Sequence, residues 1–70
     1  MAVCSQCKLL NDRGKSVDGA IESARNYVSK GSFENAKQEY HFALMTMKEN
    51  RAHQECVKDL IAERDRNIED

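Results

Sequence analysis

Residues 30–44 read KGSFENAKQEYHFAL. A glycine and a serine lead into apolar side chains that return at helical spacing. Phe33, Ala36, Tyr40, Ala43, Leu44 and, just beyond, Met47 share one face of an amphipathic helix expected over 32–48. Ser32 is the expected cap. Gly31 stops whatever precedes it, because glycine enters the left-handed backbone of a helix end without a side-chain clash. Upstream, Val17, Ala20, Ile21, Ala24, Tyr27 and Val28 repeat the same period behind Ser16, a suitable N-cap, and predict a helix over 16–30. Downstream, Lys48-Glu49-Asn50-Arg51 has no apolar member, and Asn50 can end one helix or begin the next. A break is expected there, although neither glycine nor proline enforces it. His53, Cys56, Val57, Leu60, Ile61, Arg64 and Ile68 form a third stripe, expected over 51–68. Residues 1–15 have no helical period and form an N-terminal arm. They hold the pair Cys4 and Cys7 and the turn-like run Asn11-Asp12-Arg13-Gly14. No strand pattern is evident. The fold class is all-α: a helical hairpin, a packed third helix and a CxxC arm, in one domain over 1–70.

The first two helices resemble a single tetratricopeptide (TPR) repeat. The family pattern is small and aromatic residues in the first helix, a glycine turn, then Ala, aromatic and Ala in the second. Ala24, Tyr27, Gly31, Ala36, Tyr40 and Ala43 fall at the matching positions. The resemblance covers roughly residues 17–48. It departs from the pattern at Ala20, Ser23 and Lys48, and only one repeat is present, so the third helix or a second subunit would cap it. A three-helix module of the microtubule-interacting-and-trafficking (MIT) type shares the hairpin pattern. Both resemblances imply binding of a peptide or helix in a groove.

Composition narrows the function classes. The chain has 70 residues and a net charge of −1. A chain of this length buries only about 60% of its unfolded surface. Help from a metal, a disulfide or a second copy is therefore expected. The charge runs from +2 over residues 1–31 to −1 over 32–50 and −2 over 51–70, far from the strongly basic face of a nucleic-acid binder. No apolar run is long enough to span a membrane, and the start, MAVCSQCK, has no apolar signal region. A cytoplasmic location is expected. Disulfides are rare there, and three cysteines cannot all pair within one chain.

The cysteines sit in two tetrapeptides, CSQC at 4–7 and HQEC at 53–56. Structural zinc takes four Cys or His ligands, often as two closely spaced pairs. Cys4 and Cys7 are such a pair. His53 and Cys56, three apart, share a face if helical. Together they make a Cys3His set that uses every cysteine and would tie the arm to the third helix. The competing reading makes His53 and Cys56 core residues and Cys4 and Cys7 a tail. Iron–sulfur ligation fits less well, because a histidine ligand is unusual there. Gly14-Lys15-Ser16 lacks the upstream glycine and strand of a phosphate loop. His41 lies off its stripe and is expected on the surface.

Phe42 and Met45, off the second stripe, and Leu9 and Leu10 are the candidates for a partner-binding or dimer surface. Nothing in the chain has the context of a catalytic nucleophile. The favoured function is a non-catalytic regulatory or adaptor protein, stabilised by structural zinc, that binds another protein through a helical surface. The alternative is a zinc-stabilised nucleic-acid-binding regulator contacting its ligand through Lys8, Arg13, Lys15 and Arg25.

Overall fold

The computed structural model describes residues 3–68. Four helices and one small hairpin follow in order: α1 Ser5–Lys8, β1 Asn11–Asp12, β2 Lys15–Ser16, α2 Val17–Ser29, α3 Phe33–Glu49 and α4 Gln54–Ile68. The mostly helical fold is as expected, and the three long helices lie close to their predicted ranges. α4 starts at Gln54 rather than at 51.

The arm is the main correction. It is neither aperiodic nor free of strand. α1 makes a single turn, closed by the Lys8 N–H donating to the Cys4 carbonyl at 3.0 Å. β1 and β2 pair antiparallel, Asn11 opposite Ser16 and Asp12 opposite Lys15. The linking residues, Arg13 and Gly14, both have positive φ, +56° and +83°. That is the signature of a two-residue type I′ turn, whose twist matches the strands it joins. The Val17 N–H then donates to the Leu10 carbonyl at 2.8 Å and carries the hairpin into α2. The Cα radius of gyration, 11.0 Å, matches the ~11 Å of a compact chain of this length, so the arm lies against the helices.

α2 begins as expected, with the Ser16 hydroxyl accepting from the Gly19 N–H at 2.9 Å. Both interhelical links end in the same backbone motif. After α2, Gly31 takes φ +79°, the Ser32 N–H reaches back to the Tyr27 carbonyl at 2.8 Å, and the Gly31 N–H reaches Val28 at 3.0 Å. After α3, Arg51 takes φ +56°, the Ala52 N–H reaches Met47 at 2.8 Å, and the Arg51 N–H reaches Lys48 at 3.3 Å. These are Schellman closures. The second breaks α3 from α4 with an arginine where glycine is usual. Ser32 occupies the N-cap position of α3, yet its side chain makes no cap bond, against expectation.

The core lies between α2 and α3, with α4 and the arm completing it. Val17, Ala20, Ile21, Ala24, Tyr40, Ala43, Leu44, Met47, Val57 and Leu60 are buried, as are Val3, Cys7 and Cys56. Ala24, Ala36 and Ala43 are fully enclosed, which lets the two helices of the hairpin approach closely. Phe33 is a correction: it is 46% exposed, because the first residue of α3 projects past the end of the packed face.

Candidate metal centre

Two local structures aim side chains at one point. In the arm, Cys4 is the N-cap of α1, and Cys7 lies one turn on and is buried. At the other end, the closure at Arg51 turns the chain so that Ala52 and His53 lead into α4. The His53 carbonyl accepts from the Val57 N–H at 3.1 Å, so His53 stands just before the first turn and Cys56 within it. His53 is therefore at the helix threshold rather than on the stripe, and it is exposed.

The four ligand atoms of Cys4, Cys7, His53 and Cys56 all lie within 4.8 Å of one another. His53 Nδ1 is 3.5 Å from the Cys4 sulfur, 3.6 Å from Cys7 and 4.0 Å from Cys56. Around tetrahedral zinc, with Zn–S about 2.3 Å and Zn–N about 2.0–2.1 Å, the N···S edge is about 3.6 Å and the S···S edge about 3.8 Å. The three N···S edges, 3.5, 3.6 and 4.0 Å, are close to the first of these values, and the sulfurs lie within 4.8 Å of one another. Nδ1 is the nitrogen that faces the sulfurs. The Cys4 N–H also points at the Cys56 sulfur from 3.5 Å, an outer contact of the kind that orients metal-bound thiolates.

The thiols differ in character. Cys4 is pulled down from 9.0 to about 6, first by the Cys7 backbone N–H and then by the Cys56 and His53 side chains. Cys7 is pushed up to about 11, first by burial. Three sulfurs this close cannot all be thiolates without a cation among them, because their charges repel. A divalent cation removes that conflict, so the donor set fits a metal. No protein-family model matches the chain, and neither a curated protein nor a solved structure matches it.

All four sequence-predicted ligands thus meet, although the pairs are 46 or more residues apart in the chain. The partner-surface candidates divide. Leu9 is 75% exposed and Met45 42% exposed. Leu10 and Phe42 instead pack against the core, with the Lys15 ammonium 4.9 Å above the Phe42 ring. Three of the nucleic-acid candidates already have partners: Lys15 pairs with Glu39, Arg25 with Glu63, and Arg13, more loosely at 4.0 Å, with Asp12. Arg13 stands exposed at the hairpin tip, and Lys8 is half-buried at the end of α1. His41 is on the surface, as expected.

Sequence reasoning missed a second cluster. The Glu63 carboxylate accepts both Arg25 Nε at 2.9 Å and Nη2 at 2.8 Å. It also accepts the Tyr40 hydroxyl at 2.7 Å, and Asn67 Nδ2 donates to that hydroxyl at 3.1 Å. Tyr40 is fully buried, and a buried phenol requires partners. That requirement, with Glu63 and Asn67 at i and i+4, was the available signal.

Proposed function

We propose that this chain is a small non-catalytic adaptor or regulatory protein. Cys4, Cys7, His53 and Cys56 hold a structural zinc ion, and the helical surface binds another protein. The observation that carries the proposal is the convergence of the four ligand atoms from opposite ends of the chain. Four protein ligands leave no open coordination position for a water or substrate, which marks a structural rather than a catalytic site. Soft thiolates with one imidazole favour zinc over calcium or magnesium. Three free thiols suit a reducing compartment, the cytoplasm. Among the described residues no helix is long and apolar enough to cross a membrane.

The binding surface draws on Leu9 and Met45, the exposed members of the predicted set; Phe42 is half-buried against the core. The TPR-like hairpin supports a peptide or helix as the partner class. A second copy of the chain would serve equally as that partner. The nucleic-acid alternative is weaker, since Lys15 and Arg25 are held in ion pairs.

Native mass spectrometry before and after chelation tests the metal and the oligomeric state together. One zinc per chain, absent in Cys56→Ser, is the expected result. A chain that carries no zinc before chelation would sink the zinc assignment. For the partner, capture that is lost in a Leu9→Ser, Met45→Ser double variant with intact zinc content is expected. Capture unaffected by that variant removes this surface from the proposal.

A further inference from the structure

The four ligands are not equally sheltered. Cys7 and Cys56 are 2% and 7% exposed, both inside the core cluster. Cys4 is half-exposed, and its contact with His53 lies on the solvent side of the cluster. The sulfur that oxidants reach first therefore has two further sulfurs within 4.8 Å. Cys7 is the nearer of these along the chain, one turn away in α1. Reactive redox cysteines combine an accessible sulfur with a resolving cysteine beside it.

We propose that Cys4 is a site of oxidation by hydrogen peroxide, and that Cys7 resolves it as a Cys4–Cys7 disulfide that expels the metal. The inference rests on the zinc reading and adds its regulation. In the first step the Cys4 sulfur attacks the peroxide. An S–O bond forms, the O–O bond breaks, and the departing hydroxide takes a proton to leave as water. In the second step the Cys7 sulfur attacks Cys4. The S–S bond forms, the S–O bond breaks, and a second hydroxide takes a proton and leaves as water. Two thiolates lose two electrons in all, and the peroxide is reduced to two waters. Only Cys56 and His53 then remain as donors, too few for a structural zinc. The tie between the arm and α4 is lost with the ion, and with it the packing of Val3 and Cys7 against the core. A thiol reductant and zinc reverse the change.

The test treats the zinc-loaded protein with hydrogen peroxide. It follows free zinc with a chromogenic chelator, intact mass, and disulfide position by peptide mapping. The expected result is one zinc released for each chain that loses two hydrogens, a Cys4–Cys7 linkage, and recovery with dithiothreitol plus zinc. Cys4→His keeps four donors without the exposed sulfur, and it should release zinc more than about fivefold more slowly. Zinc retained under peroxide, a linkage to Cys56 instead, or equal release rates in Cys4→His would each overturn the inference. If Cys4→His fails to bind zinc, the linkage mapped in the unsubstituted protein decides. Absence of zinc at the outset would defeat the metal assignment itself, a result distinct from zinc that is bound but resistant.

Discussion

Arg51 carries the chain from α3 towards the candidate metal centre in a left-handed backbone, φ +56°. A side chain with a Cβ is strained there by roughly 1–2 kcal/mol, and glycine is not. Arg51→Gly should therefore stabilise the fold by about 1 kcal/mol, read from denaturant unfolding of the metal-loaded protein. The same argument runs in reverse at Gly31, φ +79°. A Cβ there meets nothing within 4 Å, so Gly31→Ala is expected to destabilise by about 1 kcal/mol through backbone strain alone. His53 makes a further residue-scale prediction. With Nδ1 facing the three sulfurs, nitrogen-15 NMR of the loaded protein should show metal on Nδ1 and the proton on Nε2. Metal on Nε2 would require a ring orientation unlike the one seen.

Among the elements, α4 is the one that needs fastening. Its first turn carries Cys56 of the candidate metal centre, and its later turns are held by Glu63 and Asn67. The Glu63 side chain is 13% exposed, and Arg25 from α2 and Tyr40 from α3 both donate to it, so one carboxylate joins three helices. Removing a shared acceptor leaves the buried Tyr40 hydroxyl with Asn67 as its remaining partner. Glu63→Ala is expected to cost about 1–3 kcal/mol. The Arg25 guanidinium, more than the Tyr40 hydroxyl, holds the Glu63 carboxyl below its ordinary 4.5 in the folded state. This group binds protons less readily folded than unfolded. Its contribution is complete above the ordinary value and fades as pH falls below 4.5 through the lowered one. Stability measured against pH should thus fall less on the acid side in Glu63→Gln than in the unsubstituted protein. Subtracting the two curves removes the acid loss of metal that both share. Parallel curves would show that the ion pair contributes nothing.

At the scale of the whole molecule, a zinc ion held at the proposed site would outweigh the rest of the fold. Structural zinc contributes roughly 10–16 kcal/mol of apparent binding free energy, whereas small domains have total stabilities of roughly 5 kcal/mol or little more. Chelation should therefore abolish most of the helical circular dichroism signal, and readdition of zinc should restore it. A metal-free chain that keeps its full helical signal would show that the core suffices alone. The helices were legible in the sequence because periodicity is local. Ala20, Ile21 and Ala24, or Tyr40, Ala43, Leu44 and Met47, share a face by helix geometry wherever the helix lies. The ligand types were legible too, as two short pairs. The hairpin was not, since two-residue strands show no alternation and the arginine at its turn gives no strong signal. Nor was the start of α4, because an arginine does what glycine usually does. The sequence by itself determined three amphipathic helices and two pairs of soft ligands, properties of neighbours along the chain. Only the tertiary structure brought Cys4 and Cys7 to His53 and Cys56, placed Arg25 and Tyr40 on Glu63, and left Phe33, Met45 and Leu9 exposed. Distances between residues far apart in the chain depend on how the helices close on one another, which no local spacing encodes.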